Sequence, residues 1–432
     1  MEPTEEILKQ SEFADAEEDA LTATTQATLS AQEALDRLRK GQTVQNVRIE
    51  KLAFKGEFTE PVRLKRVVLV SPRFEGATFQ NEVLFAQCTL DRPLFARRNE
   101  FTHGLAINGS TLIRFQMAQA TVKGVFNCDN IQVRGRFLVA NCAFERVRFW
   151  EAQFRGWTEF KNCTFTEEAD FRSFHAIEGF VMQRCQFKAD VLLRGSSVGK
   201  KFDLGASRFE GLLDLSKSKL HDFAYLEGIE QGPNQRFAFL NAVGERILVQ
   251  PEQLIGRLAS EENKDYKTAM QEYAFLKRSY AGLHRHDQED WAYYRFKVSQ
   301  RRCCDRSWWR PWTKLGQFAD WLLLDHGCGY CTNPMRAVRT AGLIILIFGL
   351  LYAAGLDSFY IDKVPFETSS RDSLANRTVL GLFTSVSVFT SGLSGIRDVA
   401  KGWMNLPLIV ESLLGTLLWG LFIVAFGRKV IR

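Results

Sequence analysis

Proline is scarce in this chain, at 10 of 432 residues, which argues against a loop-rich fold and for a regular, repetitive core. Neither sign of charge dominates. A net charge of +6 is too small and too scattered to mark a nucleic-acid surface, though it suits a cytoplasmic face that meets anionic lipid. The stretch after Met1 is acidic and polar with no apolar segment, so no signal peptide is expected. The nine Cys lack the spacing of a secreted disulfide framework and read as small core residues in a reducing compartment. No nucleophile–base pair, phosphate loop or carboxylate dyad stands out, so nothing points to an enzyme and no cofactor is expected. Long uncharged runs are missing up to about residue 335, and after it they prevail.

What is abundant is Phe, with 35 residues. From about 41 to 228 the apolar pattern is neither helical nor alternating, and it returns about every 22 residues. Phe165, Phe187 and Phe209 are 22 apart, as are Phe171, Leu193 and Leu215, and Phe180 and Phe202. Phe144 precedes Phe165 by 21. Within a coil the large residues recur every five or six, as at Phe144, Phe149, Phe154, Phe160, Phe165 and Phe171. Such a period is the mark of a solenoid, in which each coil buries its apolar face only against the next. About five residues per side and about four sides per coil predict a right-handed quadrilateral parallel β-helix. Cys163, Cys185 and Ser207, each two residues before a Phe of the ladder, predict a second, small-residue ladder pointing inward.

The segments "NCTF", "RCQF" and "ASRF" make this region resemble the pentapeptide-repeat family, whose motif centres on Leu or Phe with a small residue two positions earlier. The resemblance spans roughly 190 residues, is degenerate before about 130, and implies fold rather than function.

Residues 1–40 read as a mobile N-terminus and a short helix, with Ser30 as N-cap, Gln32 to Lys40 as body and Gly41 as stop. Residues 229–307 read as a helical linker. There Tyr266, Met270, Tyr273, Leu276 and Tyr280 share one helix face, and "QGPNQ" marks the break from the repeat. Residues 308–335, with Trp308, Trp309, Trp312 and Trp321 among basic residues, read as an amphipathic helix at the headgroup level.

Residues 336–432 hold two membrane-span candidates, at about 340–358 and 406–426. Arg336 and Arg339 precede the first, and Arg428, Lys429 and Arg432 follow the second. Positive residues stay cytoplasmic, so both termini and the β-helix are expected inside, with the protein multi-pass in a cell inner membrane. Between the spans, Leu374 to Phe389 predicts a half-helix that re-enters the membrane. It leads into Thr390, Ser391, Gly392, Leu393, Ser394 and Gly395, whose carbonyls and hydroxyls suit ion coordination.

Span, half-helix, Gly-bearing loop, span: this order resembles two-helix potassium-channel-like pores. "ESLLGTLLWGLFIVAFGRKVIR" is similar to their inner helix in its mid-helix Gly and basic end. "LLLDHGCGYCTNPMRAVRT" resembles the approach to the first helix in bacterial proteins that join pentapeptide repeats to such a pore. The resemblance implies a homotetrameric cation channel with 390–395 as selectivity filter and Gly415 as hinge. The family filter reads Thr-Val-Gly-Tyr-Gly-Asp. Here Thr390 and Gly392 are kept, but Leu393 and Ser394 replace the aromatic and the second Gly. Potassium selectivity therefore does not transfer, and sodium or potassium are equal expectations as permeant ion.

Thr416, Trp419, Ile423 and Gly427, spaced by three, four and four, predict the pore-lining face. Glu411, a charge inside a span, is a functional candidate or a brace behind the filter paired with Arg397. Cys303, Cys304, His326, Cys328 and Cys331 include the zinc-ligand spacing C-x2-C, but adjacent Cys303 and Cys304 suit one tetrahedral centre poorly, so no metal is expected. The partners implied are the bilayer, further copies of the chain, and a cytoplasmic ligand or protein for the β-helix. A membrane-anchored scaffold or sensor is the alternative, but a tether has no need of "TSVSVFTSGLSG" between its spans. A nucleic-acid mimic should be acidic, whereas residues 41–228 carry 27 Lys and Arg against 21 Asp and Glu.

Overall fold

A computed structural model describes residues 27–303, 316–318, 320–359, 374–391 and 400–431. It divides into two units, Met1–Glu289 and Asp290–Arg432.

The first unit is a parallel β-solenoid of about ten turns, with strands from Ala27 to Leu248. Phe144, Phe165, Phe187 and Phe209 sit beside one another on successive coils, as do Phe58, Phe79 and Phe101. Their rings stack: Phe165 and Phe187 lie 4.5 Å apart with planes 3° from parallel, and Phe187 and Phe209 lie 4.8 Å apart. Strand spacing sets this distance, because parallel neighbours stand about 4.8 Å apart and each ring falls over its counterpart.

The chain bends where Asn141, Asn162, Arg184 and Ala206 adopt φ of 53°, 52°, 54° and 56°. Asn tolerates this left-handed region best, and the Asn162 amide donates to Asn141 Oδ1 at 3.1 Å. The next residue inward is the small one expected. Ser207 Oγ accepts the Cys185 N–H at 3.0 Å and donates to the Met182 carbonyl at 2.9 Å. Asn99 and Ser110 act similarly in earlier coils, accepting the N–H groups of Ala77 and Cys88. Burial pushes the Cys88 thiol up to about 11 and those of Cys128 and Cys185 well above the usual range, so these cysteines are packing residues.

Strands Glu230–Gln231, Arg236–Ala238 and Val243–Leu248 continue the ladder past 228, and "QGPNQ" is a turn within this last coil. The period hides it: Phe237 pairs with Leu213, 24 residues earlier instead of 22. Helices close both ends. Helix α1 (Ala31–Arg39), with Ser30 Oγ accepting the Glu33 N–H, buries Ala34 and Leu38. At the other end lie α2 (Pro251–Leu254), α3 (Ala259–Glu262) and α4 (Tyr266–Gly282). Helix α4 satisfies last-coil groups that have no further strand to pair with. Glu272 accepts the Phe239 N–H at 2.7 Å, Ser279 accepts the Ile247 N–H at 2.7 Å, and the Tyr280 hydroxyl donates to the Val249 carbonyl at 3.0 Å. Of the stripe read from the sequence, Tyr273, Leu276 and Tyr280 thus lie on this cap's buried face, while Tyr266 and Met270 are half-buried.

The second unit begins within α5 (His286–Cys303) and continues through a wide π-helical turn (Asp320–His326) to α6 (Pro334–Ala354), α7 (Leu374–Ser391) and α8 (Asn405–Ile431). Of the expected interfacial segment, Trp308, Trp309 and Trp312 lie outside the described residues. Trp321 is 40% exposed and meets the His326 ring edge-on. Pro334 opens α6, and Asn333 caps it by accepting the Met335 N–H. Among the described residues two helices are long and apolar enough to cross a membrane, Pro334–Ala354 and Gly402–Ile431, and only 22% and 33% of their apolar windows are buried.

Helix α7 lies antiparallel to α6. Near its start Arg377 meets the Ala353 carbonyl at 3.4 Å and Asp357 at 3.2 Å. Lower down, Gly381 packs so closely that a Cβ there would stand 2.3 Å from the Gly349 carbonyl oxygen. Still lower, Ser385 reaches the Ile345 carbonyl at 3.0 Å, and Thr390 borders Ala337 and Ala341. The chain leaves α6 through Phe359 and returns to the same end at Ala400, where the two residues form an antiparallel bridge. Tyr352, Leu356, Phe359, Leu380, Met404 and Leu408 form the core at this end.

Candidate membrane-embedded site

Glu411 organises the middle of the three-helix group. It lies on α8, fully buried, and its described partners are both hydroxyls. Tyr352 of α6 donates to Oε2 at 2.6 Å, and Ser385 of α7 donates to Oε1. One carboxyl group therefore holds all three helices, and neither oxygen is left unpaired in apolar surroundings. The Arg397 that the sequence offered as its partner lies outside the described residues. Sequence reasoning missed Tyr352 and Ser385. For Tyr352 the available signal was a hydroxyl set within an otherwise apolar helix, since such groups seek partners across helices; Ser385 is one of several hydroxyls on α7 and carried no such signal.

The filter stretch is only partly described. Thr390 and Ser391 are the last residues of α7, so the helix outruns the expected 374–389 by two residues. Their hydroxyls turn back: Thr390 Oγ1 donates to the Val386 carbonyl at 2.8 Å, and Ser391 Oγ to that of Val388 at 3.5 Å. Of these carbonyls only that of Val388 belongs to the last four, which the end of a helix leaves without an intrahelical partner; the Thr390 bond is added to a carbonyl inside the helix. Gly392, Leu393, Ser394 and Gly395 lie outside the described residues.

On α8 the buried positions are Leu408, Glu411, Ser412, Gly415, Leu418 and Ala425. Thr416, Trp419 and Ile423 of the predicted pore-lining set are exposed along the border of that buried face, and Gly427 is half-buried. Trp419 also borders a small apolar cavity of 240 Å³ with Ala337, Ile345, Phe389, Thr390 and Phe422. Gly415 sits in unbroken helix, and a Cβ on it would lie 2.5 Å from the Phe389 carbonyl oxygen. Its smallness lets α7 and α8 touch.

A second polar group gathers before α6. Asp325, buried, accepts from the Tyr294 hydroxyl at 2.7 Å and from Arg301 at 2.6 Å. Burial works against its charge, but these two donors hold the carboxyl below the usual range. The Tyr330 hydroxyl donates to Asp320 at 2.7 Å. Arg428, in the last turn of α8, pairs with Asp290 at 2.7 Å and covers the Tyr293 ring. Of the cysteines weighed for zinc, Cys328 and Cys331 come within 3.8 Å, Cys303 is exposed, and Cys304 lies outside the described residues. No group of three or more metal-type side chains gathers among the described residues.

Comparison with known proteins adds no relative: no family model matches the chain, no curated protein does, and no solved structure does.

Proposed function

We propose that this chain is one subunit of a homotetrameric cation-conducting pore, set in a cell inner membrane with both termini cytoplasmic and a right-handed, four-sided β-helix that regulates it. One observation carries the reading. The segment between the two apolar helices starts and ends at the same end of α6, bridged at Phe359 and Ala400, while α7 descends between those points as far as Ala341. A stretch that enters and leaves on one side is a re-entrant segment once the two helices cross a bilayer. Polar backbone at that depth calls for protein or water around it, which neighbouring subunits supply. The large apolar surface left exposed on α6 and α8 supports the same assembly, since it requires lipid or further copies as cover.

Helix α7 covers the expected half-helix and runs two residues further. Its 18 residues are about 27 Å long, most of a bilayer core. With arginines at the start of α6 and the end of α8 on the cytoplasmic side, Thr390 falls near the inner boundary. The proposed ion-binding stretch from Thr390 to Gly395 therefore begins deep, and Glu411 with Tyr352 and Ser385 braces the helix leading to it. Without the Tyr and second Gly of the potassium filter, weak discrimination between sodium and potassium follows.

The test is recording of purified full-length protein in planar bilayers with asymmetric sodium, potassium and chloride. Currents reversing near the cation potentials support the pore. Silence from protein that is inserted and correctly assembled favours the alternative, a membrane-anchored scaffold or sensor whose β-helix binds a partner.

A further inference from the structure

The loop between the π-helical turn and α6 reads Gly327-Cys328-Gly329-Tyr330-Cys331, and three of its residues in succession are left-handed: Gly329, Tyr330 and Cys331 at φ 59°, 53° and 61°. Such a conformation is unfavourable at each of two adjacent non-Gly residues and persists only where surroundings enforce it. Here they do. The Tyr330 hydroxyl is tied to Asp320 at 2.7 Å and reached by Arg301 at 3.3 Å. The fold brings Cys328 Sγ and Cys331 Sγ to 3.8 Å, and the Cys331 N–H points at Cys328 Sγ at 3.3 Å. These are the only two free thiols described within hydrogen-bonding range of each other outside the solenoid.

The two thiols differ. Cys328 is fully buried, whereas Cys331 is half-buried and lines a cavity of 630 Å³ together with Lys297, Gln300, Arg301 and Tyr330. The Cys328 thiol and, less strongly, Arg428 pull the Cys331 thiol below its usual range against the opposing effect of burial, which favours Cys331 as the thiolate of the pair.

We infer that Cys328 and Cys331 form a reversible dithiol–disulfide site, with Cys331 the attacking and Cys328 the resolving cysteine and a low-molecular-weight disulfide as oxidant. The Cys331 thiolate attacks one sulfur of the small disulfide, a mixed disulfide forms, and one small thiolate leaves. Cys328 then gives up its proton, attacks Cys331 Sγ, and expels the second small thiol. Two protein thiols lose two electrons in all, and one small disulfide gains them and becomes two thiols. The sulfurs must close from 3.8 Å to about 2 Å, a movement taken up within the four-residue loop. Closure removes the thiolate next to Arg428, so the site bears on the last turn of α8 and the entry to α6 together.

The experiment uses the full chain in nanodiscs, equilibrated in mixtures of reduced and oxidised glutathione as the probe, then alkylated and digested. The loop peptide should lose both alkylations and two hydrogen masses as the mixture becomes oxidising, and recover on return to reduced glutathione. The solenoid cysteines serve as internal controls, alkylated only after unfolding. In Cys328→Ser, Cys331 should retain one glutathione adduct. Full alkylation of both residues at every ratio would overturn the inference. So would a mixed adduct that persists in the wild-type chain, or an adduct trapped on Cys328 in Cys331→Ser but absent from Cys331 in Cys328→Ser. None of these readouts depends on conduction.

Discussion

Two buried carboxyls show how one residue type serves different ends. Glu272 caps the last solenoid coil, and burial raises its pKa from 4.5 to about 7 against the opposing bonds from Ser260 and the Phe239 N–H. The folded state then holds this proton more tightly than the unfolded chain. Its stabilising contribution is complete below pH 4.5 and is lost as pH rises to about 7. Glu272→Gln keeps both hydrogen bonds without the titration. Between pH 4.5 and 7 the wild type should lose up to roughly 3 kcal/mol relative to Glu272→Gln, read by denaturant unfolding of the solenoid at several pH values. A parallel pH dependence of the two proteins would place the titration elsewhere. Glu411 instead joins three helices through Tyr352 and Ser385. Tyr352→Phe or Ser385→Ala strips one partner and should cost about 1–3 kcal/mol, lowering the thermal midpoint in detergent. Glu411→Gln, which can still bond both hydroxyls, should cost less. Equal losses in all three would mean that packing, not hydrogen bonding, sets the effect.

Elements here are held by repetition in one unit and by close approach in the other. A ladder ring packs against coils on both sides, so Phe165→Ala opens a cavity that no neighbour can fill. It should cost about 3–5 kcal/mol, whereas Trp150→Ala, at a side chain 40% exposed, should cost much less. Limited proteolysis of the intact chain at increasing denaturant separates the two. Between α6 and α7 the contact is backbone on backbone. Gly381→Val places new atoms within 2.3 Å of the Gly349 oxygen, and must drive the helices apart. A Cβ at Gly420 meets nothing within 4 Å, so Gly420→Val serves as the control. The first should abolish the folded, detergent-stable form, and the second should leave it intact. Survival of Gly381→Val with an unchanged thermal midpoint would contradict this packing.

At the scale of the whole molecule the predictions concern assembly and conduction. Native mass measurement in nanodiscs should give four chains, and a functional monomer would end the pore reading. Cysteine placed at Thr416 or Ile423, on the exposed face of α8, should react with water-soluble thiol reagents and block current. Cysteine at Leu408 or Leu418, packed against the neighbouring helices, should be protected. The reverse pattern would assign the pore to another face. Thr390→Ala together with Gly392→Ala should shift the reversal potential, because both positions begin the proposed ion path.

The sequence by itself determined the solenoid, since a period of 22 allows each Phe only one place to stack, on its counterpart a coil away. It also marked the two apolar helices, because apolar runs of that length with at most one charge stand out, and it marked Ser30 as a cap. It lost the last coil, because two inserted residues between Leu213 and Phe237 break the period without breaking the strand pairing. Only tertiary structure decided the partners of Glu411: Tyr352, Ser385 and Glu411 are separated by 33 and 26 residues, and no local rule joins them. The same holds for the role of Gly415, which reads as a hinge from its place in one helix but as a contact point once the Phe389 carbonyl is set against it. Periodicity is local information repeated, so a chain carries it openly. A contact between distant segments exists only after the helices have chosen which faces to bury.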